Sequence, residues 1–144
     1  MTGDLPDVNV LLALAWPNHQ FHERASSWYL TQGSDGWSTC SITQLGFIRL
    51  SSNPSFTPYA KTPLESTMLL SDLVSHPGHR FIKDAPAATS KTFLSVAKHL
   101  QGHKQTTDAY LMAIAKEHGL KLVTFDRRLD RYCPFDALVR VLST

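Results

Sequence analysis

Two spacings of apolar residues alternate along the chain. Short apolar runs suited to strands covered on both faces give way to longer segments in which apolar residues return every three or four positions, as on a helix. The clearest unit is TTDAYLMAIAKEHGLKLVTFD, Thr106 to Asp126. Leu111, Ala115 and His118 recur at helical spacing beside Met112, Ile114, Ala109 and Ala113. Gly119 then supplies the left-handed residue a helix end wants, and Leu120, Leu122, Val123 and Phe125 form a buried strand. From the N-terminus, a strand around Leu5 runs into an apolar helix, Val10 to Ala15, which Trp16-Pro17-Asn18 breaks. The pattern then predicts a helix from His19 to Gln32, a turn at Gly33 to Gly36, a strand at Trp37 to Cys40, and a helix from Ile42 to Leu50 capped by Ser41 or Thr43. After a loop to about Lys61, Thr62-Pro63-Leu64-Glu65 reads as a capping box with proline at the first helical position. Leu64, Met68, Leu69, Leu70 and Leu73 are expected to face the core. A strand at Arg80 to Ile82, a helix from Ala88 to Gln101, the Thr106 to Asp126 unit and a closing strand at Ala137 to Leu142 complete the order. Strand and helix alternate without repeats, which predicts one α/β domain over residues 1–144: a mostly parallel sheet with helices on both faces.

Composition narrows the function without naming it. The chain has 144 residues, 42% of them hydrophobic, enough for a real core. Its formal net charge is only +2, so any affinity for nucleic acid must come from local clusters. Cys40 and Cys133 lie in no metal-type spacing and suggest a reducing, cytoplasmic setting; no apolar run approaches the roughly 18 residues of a membrane span. Carboxylates carry the candidate chemistry. Asp7 after the first strand, Asp108 in the first turn of a helix and Asp126 at the end of a later strand can all reach the carboxyl edge of a parallel sheet, where α/β proteins build sites. Two like charges about 5 Å apart repel by roughly 3 kcal/mol at an effective dielectric near 20, so gathering them calls for a cation. Oxygen-only ligation suits Mg²⁺ or Mn²⁺ better than Zn²⁺. The competing reading is three independent helix caps that never meet. His19 and His22 are read as surface, not as metal ligands. Arg49, the only charge between Trp37 and Tyr59, is either paired with a carboxylate or aimed at an anion. Arg127, Arg128 and Arg131 crowd around Asp126 and Asp130, either as a salt-bridged surface or as phosphate contacts.

The phrases LPDVNVLLALA, STCSITQLGFIRLSSNP and TTDAYLMAIAKEHGLKLVTFD, in that order over almost the whole chain, resemble the successive motifs of PIN-domain proteins, in particular the VapC ribonuclease toxins of prokaryotic toxin–antitoxin pairs. The resemblance implies a PIN-like α/β/α sandwich and a metal-dependent endoribonuclease that leaves a 5′-phosphate and a 3′-hydroxyl. It also implies neutralisation by a VapB-type antitoxin and a homodimer. Asp7, Asp108 and Asp126 match the family's acidic positions and would carry Mg²⁺, with Mn²⁺ as a substitute. Asn9, Thr43, Gln44 and Thr124 would orient carboxylates or water, and Arg49, Arg127 and Arg128 would meet RNA phosphates or the antitoxin. One position departs from the pattern: a glutamate is common in the family near Gln44-Leu45-Gly46, and no carboxylate stands there. A weaker metal site follows, with a catalytically weakened RNA- or antitoxin-binding module as the alternative function. Which RNA is cut is not written in these residues.

Overall fold

Leu5 and Leu122 turn to one side of the sheet and Val123 to the other, so the alternation along each strand feeds two separate apolar layers. The computed structural model describes residues 3–144. Its elements run β1 (Asp4–Pro6), α1 (Val8–Ala15), α2 (His22–Thr31), β2 (Trp37–Thr39), α3 (Ser41–Ser51), α4 (Pro63–Val74), β3 (His79–Phe81), α5 (Lys91–Ala97), α6 (Thr106–His118), β4 (Lys121–Thr124), α7 (Arg128–Tyr132) and β5 (Val139–Val141). The strands form one parallel sheet in the order β3-β2-β1-β4-β5. Register places Pro6 beside Val123, and Asp7 N–H continues the pairing by donating to the Val123 carbonyl at 2.9 Å. On one face Val96 of α5 and Leu111, Met112, Ile114 and Ala115 of α6 pack on Leu5 and Leu122. On the other, Val10 to Ala13 of α1, Trp28 of α2, Phe47 of α3 and Leu70 and Leu73 of α4 pack on Trp37 and Val123. The α/β/α sandwich expected from the sequence is therefore present.

Local chemistry sets the element ends. Gly119 adopts the left-handed conformation at φ 67° and closes α6. Thr62 and Glu65 form the expected reciprocal capping box at the start of α4, with Pro63 at its first position. Other expectations are corrected. The cap of α3 is Cys40, not Ser41 or Thr43; Thr43 is the third helical residue, and its hydroxyl accepts from Cys40 N–H at 3.0 Å. The second helix begins at His22 because the His19 ring accepts from Phe21 N–H at 3.0 Å and holds a turn there. The helix placed at Ala88 to Gln101 spans only Lys91–Ala97, since Ser90 caps it by accepting from Phe93 N–H at 3.1 Å. The closing strand cannot start at Ala137, which sits at φ 57°. Leu64 and Met68 do not face the core: they are 70% and 60% exposed, and α4 buries Ser66, Leu70 and Leu73 instead. Among the described residues no helix is long and apolar enough to cross a membrane.

The start of α1 lies against the middle of α3 at Gly46, where an added Cβ would stand 2.8 Å from Val8 Cγ2. Valine cannot easily turn away, because its branch fixes χ1 in a helix. Gly46→Ala is expected to lower stability by about 1–3 kcal/mol, the usual cost of overpacking, as read from urea unfolding.

Candidate metal-binding and nuclease site

Each strand delivers its chain to the same edge of the sheet, and the helix that precedes a strand begins at that edge. Asp7 leaves β1 in an extended conformation and caps α1: Oδ1 accepts from Val10 N–H at 3.1 Å. Thr124, its neighbour at the end of β4, donates its hydroxyl proton to Asp7 Oδ2 and accepts from Asp126 N–H at 3.0 Å. One threonine thus ties two of the three aspartates together. Asp108 enters from the first turn of α6, half-buried, with the buried Ala109 beside it.

Asp7 and Asp108 feel each other's charge, as do Asp108 and Asp126. Asp7 is 4% exposed; burial pushes its carboxyl up to about 6, the Thr124 and Val10 hydrogen bonds pull it down, and the charge of Asp108 adds to the rise. Asp108 is raised by burial first and then by Asp126, and is lowered by Arg128. Asp126 is held below the usual range, chiefly by the Arg128 side chain, whose Nε and a terminal nitrogen reach its two oxygens at 3.0 and 2.9 Å. Asp7 does cap α1, as the competing reading expects, and Thr124 also joins it to the Asp126 backbone.

The donor chemistry fits a hard divalent cation. Asp7 and Asp108 place carboxylate oxygens at a partly buried edge, and a divalent ion there would be content with two carboxylates and several waters. The third carboxylate is engaged elsewhere. Among the described residues no three His, Cys, Asp or Glu side chains are gathered closely enough to surround one ion, and Asp126 is turned to Arg128.

The other residues singled out in the sequence divide. Thr124 is buried at the centre of the network. Gln44, half-buried in the first turn of α3, donates from Nε2 to Thr39 Oγ1 at 3.0 Å, and that hydroxyl also meets His79 Nε2 at 2.8 Å. The Thr43 hydroxyl is spent on Cys40, from which it accepts N–H and to whose carbonyl it donates at 3.1 Å. Asn9 is exposed on α1. Arg49 is exposed and makes no ion pair among the described residues. It lies in the last turn of α3, about 12 Å along the helix from the end that meets the sheet edge. Arg127 and Arg131 line a shallow groove with Asp130, Val141 and Ser143. His19 and His22 are occupied locally, the latter against the Ala13 carbonyl at 2.8 Å. Sequence reasoning missed Tyr132. Its phenol is pushed up to about 12 by burial, then by Asp108 and Asp126, and its buried hydroxyl has no protein partner among the described residues. The signal was present as a residue one helical turn beyond Arg128, but α7 itself was not foreseen.

The model of the PIN domain matches residues 5–133. The chain belongs to the PIN-domain family. It is 40% identical over 126 residues to Ribonuclease VapC39 of Mycobacterium tuberculosis, covering 87% of this chain and 89% of that one. It is 38% identical over 122 residues to Ribonuclease VapC38 of the same organism, covering 85% and 84%. Among solved structures, VapBC2 from Rickettsia felis bound to a DNA fragment of its promoter superposes with a TM-score of 0.67 over 99% of this chain and 100% of that one, at 13% identity. Mycobacterium tuberculosis VapC20, described as a toxin cleaving the sarcin–ricin loop, superposes at 0.60 over 91% and 94%, at 12% identity. The PIN fold and its parallel sheet are thus shared far beyond recognisable sequence, and PIN-domain ribonucleases generally depend on a divalent metal.

Proposed function

We propose that this PIN domain is a metal-dependent endoribonuclease, the toxin of a VapBC-type toxin–antitoxin pair, with Asp7, Asp108 and Asp126 as its acidic residues and Mg²⁺, or Mn²⁺ in its place, as its cofactor. The observation that carries this reading is the coupled carboxylate pair: a buried Asp7 pushed up to about 6 and an Asp108 raised beside it. Two strained anions at a sheet edge are a poor arrangement for stability and a good one for holding a cation. The relatives named ribonucleases, at 38–40% identity over most of the chain, supply the reaction class.

Asp7 and Asp108 would hold the ion, which would lower the pKa of a coordinated water and offset the charge that builds on an attacked phosphodiester. The chain's own part is positional. Thr124 fixes Asp7 Oδ2 and the Asp126 backbone in one hydrogen-bonded unit, the kind of outer support that orients ligating oxygens. Gln44 contributes a neutral amide where the family often has a carboxylate, and its orientation is set by Thr39. Arg127 and Arg128 offer cations on the rim for flanking phosphates. Asp108→Asn keeps the side-chain shape and removes one ligand charge. It is expected to lower RNA cleavage by at least about a hundredfold, as for loss of a key electrostatic stabiliser, with unchanged circular dichroism. Cleavage within tenfold of the unaltered protein would sink the assignment.

Partners follow the same reading. An apolar groove of about 390 Å³, lined by Leu14, Tyr29, Leu30, Trp37, Leu69 and Leu73, suits an amphipathic segment of a VapB-type antitoxin. Leu64 and Met68, exposed one turn apart on α4, offer apolar surface to a second copy of the chain. A cytoplasmic setting accords with both free cysteines.

A further inference from the structure

Arg128 is bound to Asp126 more completely than an exposed surface pair requires. Its Nε and a terminal nitrogen reach the two carboxylate oxygens at 3.0 and 2.9 Å, and its backbone N–H donates to Oδ1 at 2.9 Å. The two ends of this contact differ in exposure: the Arg128 side chain is 79% exposed and the Asp126 side chain 23%. Asp126 is further anchored through its N–H on Thr124, and so to Asp7. Arg128 thus occupies both oxygens of one of the three proposed acidic residues, and among the described residues no three His, Cys, Asp or Glu side chains are gathered around one point.

We infer that Arg128 is an exchangeable occupant of the cation position: it holds Asp126 while no divalent ion is bound, yields Asp126 when an ion arrives, and turns its guanidinium to a phosphate of the RNA. This rests on the metal-nuclease reading above. Physically the exchange is easy in one direction. The guanidinium end of the pair is open to water, which screens it, whereas a divalent ion carries twice the charge and is drawn by three carboxylates together. The released guanidinium is a planar fork suited to phosphate, and it stays tethered to the rim of the same site. The backbone N–H bond to Asp126 does not depend on the side chain, so α7 keeps its start when the side chain is cut back.

Isothermal titration of Mn²⁺ into the full chain tests this with the unaltered protein, Arg128→Ala, Asp126→Asn, the double variant and Asp7→Asn. Arg128→Ala is expected to tighten Mn²⁺ binding about threefold to tenfold, because a competing cation is gone. That gain should vanish in the Asp126→Asn background, where there is no charge to compete for. With Mn²⁺ saturating, Arg128→Ala should also reduce the salt dependence of KM for a single-stranded RNA by about one phosphate contact, a slope change of roughly 0.7. Equal Mn²⁺ affinity in the unaltered protein and Arg128→Ala, with binding still lost in Asp7→Asn, overturns the exchange and leaves the metal-nuclease reading standing. If the unaltered protein binds no Mn²⁺, both fall.

Discussion

Asp7→Asn is expected to abolish RNA cleavage and, in the metal-free protein at pH 7.5, to raise the melting temperature. Both effects come from one buried charge. In the unfolded chain an aspartate titrates near its ordinary value of 3.8, and in the fold burial lifts Asp7 to about 6. The folded state therefore binds the extra proton between those values, and stability falls as pH rises through that window. The full contribution is present below pH 3.8 and is gone above about 6, the reverse of a salt-bridged carboxylate. A shift of this size corresponds to about 3 kcal/mol of penalty at neutral pH for carrying the ionised form. Asparagine still accepts from Val10 N–H and carries no charge to desolvate, so much of that penalty is relieved, less about 1 kcal/mol for the altered bond to Thr124. Differential scanning calorimetry at pH 5 and pH 7.5, with and without Mg²⁺, checks the argument. The unaltered protein should lose stability between the two pH values and regain it with the ion, and Asp7→Asn should be insensitive to both. A lower melting temperature in Asp7→Asn at pH 7.5, with no response of the parent to Mg²⁺, would show that Asp7 is only a helix cap.

Particular residues explain how far the sequence could be read. The Thr106 to Asp126 unit was legible because every local signal agreed: helical spacing to His118, glycine at the left-handed position and an apolar strand after it. The capping box at Thr62 and Glu65 was legible for the same reason. Leu64 and Met68 fit a core-facing spacing yet lie exposed, because the apolar positions of α4 cover more of the helix than the sheet can bury and spacing alone does not say which stripe faces inward. At the site, the spacing could suggest three converging aspartates and left their isolation equally open; the β1–β4 register sets Asp7 beside Thr124, and that threonine links Asp7 to the Asp126 backbone. Arg49 attracted notice as a lone charge in an uncharged run, yet its place in the last turn of α3 carries it away from the edge where that helix begins. The hold of Arg128 on Asp126 and the nearness of Tyr132 depend on α7, a helix of 5 residues too short to leave a periodic signal.

The opposite end of the sheet is built on a different buried carboxylate, and there the charge is paired. Asp4 opens β1 and is 4% exposed; its Oδ2 accepts from Trp28 Nε1 at 2.7 Å and from an Arg140 guanidinium nitrogen at 2.7 Å. That nitrogen also donates to Gln32 Oε1 at 3.1 Å. The network ties β1, β5 and α2, elements far apart in the chain, around a tryptophan that is fully buried. Asp4→Ala removes the only side-chain acceptor of the Trp28 ring among the described residues and leaves a partly buried guanidinium with one neutral partner. Removing one member of a buried pair costs about 3–5 kcal/mol; Arg140 is 34% exposed and can turn to water, so the expected loss is nearer 2–3 kcal/mol. A loss of that size is a large part of the roughly 5–15 kcal/mol that stabilises a domain. Urea unfolding followed by tryptophan fluorescence should show the midpoint fall without a change in slope, and Asp4→Asn should recover part of the loss by accepting from Trp28. Cleavage by the folded fraction should be unaffected, since Asp4 stands at the end of β1 away from Asp7. If Asp4→Ala instead lowers cleavage per folded molecule as strongly as Asp108→Asn, the two ends of the sheet are not the independent structural and chemical poles argued above.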